Sequence, residues 1–177
     1  VRFCKARKKD ISKIEYLINS NLKNVVNENQ GFVYSYYDKE NINNTWCLWN
    51  ENLLIGIAIV SDFSEINVTK YTITKSKLLF GTAKYISSLC IATEMRGKGI
   101  GKMMYSHIFK IFNKANKFYV KVDIDNEVSL RFHKNWKVVG NYTNKKKEKF
   151  LLLEKSNEYY QLPFRLIISE GFEYEGF

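Results

Sequence analysis

Proline is nearly absent from this 177-residue chain: Pro163 stands alone, and glycine is held to nine residues. That rules out a collagenous or linker-like composition and leaves long stretches free to form regular structure. Cysteine is equally scarce. Cys4, Cys47 and Cys90 are odd in number and widely spaced, which excludes the dense, even set of a disulfide-stapled domain. With two histidines and no Cys-x-x-Cys or His-x-x-x-His spacing, no metal site is expected. Long apolar runs are missing too. The longest, Leu53 to Val60 with Gly56 inside it, falls well short of the roughly 20 residues a membrane helix needs. The first residues, Val1-Arg2-Phe3-Cys4-Lys5, grow more basic and hold no apolar stretch of signal-peptide length. The expectation is a cytoplasmic protein with no membrane partner.

Acidic residues are the minority charge. Eighteen Asp and Glu face 28 Lys and Arg, a formal net charge of +10. Such an excess suits an anionic partner, nucleic acid among them. The positive charge is spread, however, over Arg2 to Lys9, Lys70 to Lys84, Arg96 to Lys121 and Lys145 to Lys149. A solvated surface accounts for that spread, and a multiply phosphorylated cofactor would itself be an anionic partner. Apolar residues at 45% and aromatics at 15% are those of a globular chain long enough to bury its own core.

No repeat or low-complexity linker divides the sequence, so one domain over 1–177 is expected. Val1 to Ala6 reads as a strand. Asp10 reads as an N-cap before Ile11, Ile14, Leu17 and Ile18 at helical spacing. Residues 19–44 suggest a second helix with loops. Thr45 to Trp49 and Leu53 to Val60 form a hairpin about Asn50-Glu51-Asn52. Residues 61–81 are ambiguous, a further strand or an ordered insertion. Then follow a strand from Tyr85 to Ala92, a helix from about Gly99 to Asn113, and a strand from Phe118 to Ile124. Phe118, Val120, Val122 and Ile124 share one side of that strand. A short helix over Asn126 to Asn135 precedes a pair of strands, Val138 to Tyr142 and Phe150 to Glu154, around the basic turn 144–149. The tail adds one apolar run, Leu162 to Ile168. The order β-α-α-β-β-β-α-β-α-β-β defines a mixed α/β domain.

The densest signal is the stretch from Leu89-Cys90-Ile91 to Arg96-Gly97-Lys98-Gly99-Ile100-Gly101-Lys102. A buried strand runs into a glycine-punctuated turn that opens an amphipathic helix. The first N–H groups of a helix lack intrahelical acceptors and sit at the positive end of its dipole. Glycine lets the backbone bend and approach a ligand closely. Several N–H groups then converge on one pyrophosphate, aided by Arg96 and by Lys98 or Lys102. A Walker loop is excluded, since Met103 follows Gly101-Lys102 and Arg96 occupies the place of its first glycine. The strictly alternate glycines also exclude a Gly-x-Gly-x-x-Gly dinucleotide fingerprint.

Arg96, Gly99 and Gly101 resemble the three fixed positions of the acetyl-CoA motif Arg/Gln-x-x-Gly-x-Gly/Ala of the GNAT superfamily of N-acetyltransferases. The resemblance implies a mixed, mostly antiparallel sheet flanked by helices, with strands splayed at the cofactor. It also implies that the turn from Arg96 to Lys102 holds the diphosphate of acetyl-CoA. Leu89, Cys90 and Ile91 would offer backbone groups to the pantetheine arm. A second stretch, Asn126 to Gly140, resembles the family's Asn-x-x-Ala/Ser-x-x-Phe/Leu-Tyr-Glu-Lys-x-Gly-Phe, with Asn126, Ser129 and Phe132 in place. His133 stands where most members have Tyr; the branch resembling phosphinothricin acetyltransferases commonly has His there. Lys137 and Val138 replace the usual Gly-Phe. The match covers 1–155, and 156–177 is left as an extension, expected to add a strand.

The implied activity is acetyl transfer from acetyl-CoA to a primary amine by direct attack on the thioester. His133 is the expected donor beside the sulfur, its alternative being a histidine that only packs. Ser129 and Asn126 are expected cofactor contacts, and Asn126 also suits a plain N-cap. No carboxylate lies between Thr82 and Thr93, so no general base is named. His107 reads as structural. The acceptor stays open among a small amine, an amino acid, an aminoglycoside and a protein N-terminus or lysine. A homodimer is open as well, since the tail could swap into a neighbour. Two other classes compete: a catalytically weak regulator that binds coenzyme A, and a basic nucleic-acid-binding module.

Overall fold

The computed structural model describes residues 1–22, 39–63, 72–73 and 82–160. The apolar run Leu162 to Ile168 and the aromatic-rich stretch 23–38 lie outside them. Within the described residues the elements are β1 (Arg2–Lys5), α1 (Ile11–Leu22), α2 (Lys39–Asn44), β2 (Thr45–Asn50), β3 (Leu53–Asp62), β4 (Thr72–Ile73), β5 (Thr82–Ile91), α3 (Ile100–Ile111), β6 (Ala115–Asp123), α4 (Glu127–Phe132), β7 (Lys137–Thr143) and β8 (Lys149–Ser156). The expected order holds with one addition: β4, two residues inside the ambiguous 61–81, pairs with Asn141 and Gly140 of β7. All strands join one sheet in the order β1-β2-β3-β5-β6-β8-β7-β4. Every pairing is antiparallel except β5 with β6.

Each face of this sheet is covered by helices that the residue pattern selects. Ile14, Leu17 and Ile18 form the buried stripe of α1, packed on Leu54 and Ile57 of β3 and on Trp49. Met104, Ile108 and Phe109 of α3 bury against Ala58, Val60, Ile86, Phe118 and Val120. Strand alternation places Ile57 and Ala58 on opposite faces, so α1 and α3 sandwich the sheet. α3 sits close because Gly56 has no side chain: a Cβ there would come within 2.7 Å of Met104 Sδ.

Three local expectations are revised. Asp10 does not cap α1; it ends a 3-10 turn, Lys8–Asp10, and its carboxylate accepts from the Arg7 N–H at 2.9 Å. β6 is not one-sided, for Tyr119 is as buried as Phe118, Val120 and Val122, whereas Ile124 falls beyond the strand and is exposed. α3 begins at Ile100, with Gly99 outside it in the left-handed region. Beyond β8, the Asn157 side-chain amide reaches the carbonyls of Phe109, Phe112 and Ala115 at 3.2, 3.1 and 2.8 Å. Those groups lie at the open C-terminal end of α3 and the start of β6, so one buried side chain fixes how α3 enters β6.

Candidate cofactor site

β5 and β6 run parallel and paired only from Thr82 and Ala115 to Ile86 and Val120. Beyond that row they part. β5 stays on β3 as far as Ile91 opposite Gly56, and β6 stays on β8 as far as Asp123 opposite Phe150. A register irregularity between Ile59 and Val60 leaves Ser87 unmatched at the point of divergence. Such an extra residue bends a strand and raises its twist. The result is a fork in the middle of the sheet, with an edge of β5 along one side that pairs with no strand among the described residues.

The direction of that edge follows from one bond. The Ala92 N–H donates to the Ile55 carbonyl at 3.0 Å, on the β3 side. Main-chain groups alternate sides along a strand, so those of Cys90 also face β3. Leu89 and Ile91 turn theirs into the fork. The expected role of Cys90 is therefore corrected. Its main chain is committed to the sheet and its thiol lies 4.0 Å from the Leu17 carbonyl; Leu89 and Ile91 carry the open edge.

β5 then leads through a 3-10 turn, Thr93–Met95, into the glycine turn. Gly97 and Gly99 adopt φ of 74° and 78°, a left-handed conformation that costs other residues about 1–2 kcal/mol. A Cβ at either would meet nothing within 4 Å. Their requirement is conformational, and the space beside them is open. The first intrahelical bond of α3 is Met103 N–H to the Gly99 carbonyl at 3.1 Å. The N–H groups of Ile100, Gly101 and Lys102 precede it and have no acceptor within the helix. Lys98 and Lys102 are exposed beside them. This combination of positive helix end, bare backbone and flanking ammonium groups fits a diphosphate.

Gly101 has a different task. A Cβ on it would stand 3.0 Å from the Phe132 ring and 3.2 Å from Ile91 Cδ1, so this glycine lets α4 and β5 close on α3. Arg96 also departs from expectation. Its guanidinium does not reach over the turn: Nη2 donates to Asn21 Oδ1 in α1, and Nε donates to the Ile91 carbonyl at 3.3 Å. Thr93 donates to the same Asn21 oxygen at 3.1 Å, and the Asn21 amide donates to the Leu17 carbonyl at 2.6 Å. Asn21 and Arg96 are 75 residues apart in sequence, and nothing in the spacing announces their meeting.

α4 lies beside the start of α3, and its N-terminus is capped as expected: Asn126 Oδ1 accepts from the Ser129 N–H at 3.0 Å. His133 closes the other end. Its imidazole is buried, enclosed by Tyr105, Phe132 and Trp136. Nδ1 lies 2.8 Å from the Ser129 carbonyl and 3.3 Å from the Ser129 hydroxyl. A carbonyl only accepts, so Nδ1 carries the proton. The neutral ring then accepts at Nε2 from the Tyr105 hydroxyl, 2.7 Å away. Burial lowers the pKa of His133, and the bond to Ser129 offsets this only in part. Both ring nitrogens are thus engaged inside the protein, and the structure brings no unengaged imidazole to the fork. His107 stacks on Phe3 at 5.2 Å, in keeping with a packing role.

A family model described as the acetyltransferase (GNAT) family matches residues 10–136. The chain belongs to that family. The fold agrees with solved structures of low sequence identity. A GNAT-family acetyltransferase from Streptococcus agalactiae aligns over 89% of this chain and 95% of its own, with TM-score 0.70 and 15% identity. Ribosomal-protein-alanine N-acetyltransferase from Brucella melitensis covers 88% and 99%, with TM-score 0.62 and 16% identity. Arabidopsis thaliana NAA60, solved in complex with acetyl-CoA, covers 88% and 98%, with TM-score 0.62 and 16% identity. No curated protein matches the sequence. The fold and the glycine turn define an N-acetyltransferase of the GNAT type.

Proposed function

We propose that this protein transfers the acetyl group of acetyl-CoA to a primary amine by direct attack on the thioester. One observation carries the reading: the fork, whose open edge at Leu89 and the Ile91 N–H leads through the 3-10 turn to the glycine turn at the head of α3. The N–H groups of Ile100, Gly101 and Lys102 would hold the diphosphate, with Lys98 and Lys102 screening its charge. Leu89 and Ile91 would hydrogen-bond the pantetheine amides as a neighbouring strand does. The bound cosubstrate supplies an activated acyl thioester. A main-chain N–H on the open edge stabilises the oxyanion that forms on its carbonyl.

In this reading His133 serves through position. It fixes α4, and with it Asn126 and Ser129, against Tyr105 of α3. A neutral, enclosed imidazole shapes the wall of the site and has no proton to spare for a departing thiolate at pH 7.

The test combines calorimetry with CoA and a screen of amine acceptors with acetyl-CoA, reading released thiol. Micromolar CoA binding and amine-dependent thiol release are expected. A protein that ignores CoA, or whose thiol release is the same with and without every amine, ends the proposal.

A further inference from the structure

Across the sheet, on the face opposite α3, a carboxylate sits where a strand centre ordinarily holds an apolar residue. Glu154 of β8 is buried to 9% relative exposure, although a buried charge costs several kcal/mol unless it is paired. Its Oε2 accepts from the Tyr119 hydroxyl at 2.7 Å and from Lys117 Nζ at 3.1 Å; Oε1 receives neither. Register places these groups. Tyr85 of β5 pairs with Tyr119 of β6, which pairs with Glu154. Directly paired residues share a face, and this row is the last on its face before β5 and β6 part after Ile86 and Val120.

The two faces of the fork are not equivalent. α3 and α4 close one of them, with Met104, Tyr105 and Phe132 packed beneath. On the other face α1 covers Ile57, Ala92 and the Cys90 end of β5, and leaves the row of Tyr85, Tyr119 and Glu154 beyond it. Among the described residues, helix cover is lighter on the side of Tyr119, and an amine that reaches a thioester in the fork would arrive there. Phe63 stacks on the Tyr119 ring, centroids 4.0 Å apart, so the ring face is blocked and the hydroxyl edge stays directed at Glu154. The Glu154 side chain keeps 10% of its exposure and that of Lys117 keeps 31%, so the pair is not sealed from water.

Resting on the acetyltransferase reading, we infer that Tyr119 and Glu154 form the proton outlet for a cationic amine acceptor. The incoming ammonium donates to Tyr119 Oη. Its N–H bond breaks as a new O–H bond forms at Oη, and the phenol's own proton passes to Glu154 Oε2. The freed lone pair forms the C–N bond, the C–S bond breaks, and the second ammonium proton to leave goes to the thiolate. Glu154, now a carboxylic acid, releases its proton to solvent near Lys117. Tyr119, 2% exposed in the free protein, is the group that would meet the substrate; Glu154 acts through it. Among the described residues, the charged and titratable groups facing Glu154 are Lys117 and Tyr119 from β6 and Lys137 from β7, with Tyr85 of β5 next in the row. This also supplies the carboxylate that the sequence between Thr82 and Thr93 lacks.

The experiment compares the full chain with Glu154→Gln and Tyr119→Phe on lysine methyl ester, phenethylamine and a short peptide with a free N-terminus. It reads kcat/KM from pH 7 to 9.5, with CoA affinity by calorimetry as the control for folding. At pH 7 both variants should lose about a hundredfold in kcat/KM, with CoA affinity within twofold of the parent. The deficit should shrink below about tenfold at pH 9.5, where solution supplies neutral amine; a purely structural defect would stay constant with pH. Should Glu154→Gln lose CoA binding, Tyr119→Phe decides, since it leaves the Lys117–Glu154 pair intact. A deficit under threefold, or one equal at every pH, overturns the outlet while leaving the transferase. A parent that binds CoA yet acetylates no amine overturns the transferase reading and the outlet with it.

Discussion

Asn21 and Arg96 meet at the junction of α1 with the glycine turn: Nη2 of Arg96 donates to Oδ1 of Asn21, which also accepts from Thr93. The last turn of α1 thereby holds the peptide that leads into the glycines. Arg96 thus tethers the turn to α1.

Replacing Asn21 by Leu, of similar size, should therefore weaken CoA binding by about tenfold, the scale of losing hydrogen bonds that include a charged donor. Asn21→Asp, which keeps the acceptor oxygen, should recover most of it. Calorimetry at constant salt reads both. An unchanged affinity in Asn21→Leu would show that the turn needs no support from α1.

Gly99→Ala and Gly101→Ala should fail for different reasons. At residue 99 the side chain has room but φ is 78°, so the expected loss is about 1–2 kcal/mol of stability from strain. At residue 101 the backbone is helical, and the added methyl meets the Phe132 ring at 3.0 Å. Overpacking of this kind costs about 1–3 kcal/mol and pushes α4 outward. Urea unfolding measures the two losses. Adding CoA then separates them, since a displaced α4 carries Asn126 and Ser129 with it.

The folded-state pKa of His133 lies below 6.5, chiefly because the ring is buried. As pH falls through 6.5 the unfolded chain takes up a proton that the folded chain refuses, so stability present above 6.5 is lost on acidification. The melting temperature should fall from pH 7.5 towards pH 5, and His133→Phe should remove part of that slope. The same variant leaves the buried Tyr105 hydroxyl without its acceptor, at a cost of about 1–3 kcal/mol independent of pH. A slope identical in parent and variant would place the titration elsewhere.

Burial pushes the Cys90 thiol up to about 11, Arg96 opposing only in part. The Cys47 thiol is pushed up to about 12, again by burial first and then by Asp10 and Cys4. At pH 8 the Cys90 thiolate fraction is then about 0.1%. Iodoacetamide at that pH should leave both thiols unmodified in the native protein and alkylate them in urea, as mass spectrometry of peptides would show. Rapid native alkylation of Cys90 would mean that β5 opens away from α1.

Much of this architecture was legible in the residue pattern because local physics specifies it. Ile14, Leu17 and Ile18 can only be one face of a helix, and the run from Leu53 to Val60 needs burial on both sides. Alternate glycines between basic residues at the mouth of a helix suit an anion whatever surrounds them. Asn126 capping Ser129 is likewise a contact between near neighbours, fixed within one turn.

Tertiary structure decided the rest, for every remaining feature joins residues far apart in sequence. That β5 parts from β6 after Ile86, that Leu89 and Ile91 face the gap and Cys90 does not, and that Arg96 turns to Asn21 all depend on register and packing partners. His133 reads as a donor in isolation; Tyr105, 28 residues away, makes it an acceptor. Glu154 reads as an ordinary strand residue until Tyr119 and Lys117 are brought beside it. A sequence displays which groups can ionise, but only the fold fixes which of them are dry, paired and within reach of one another.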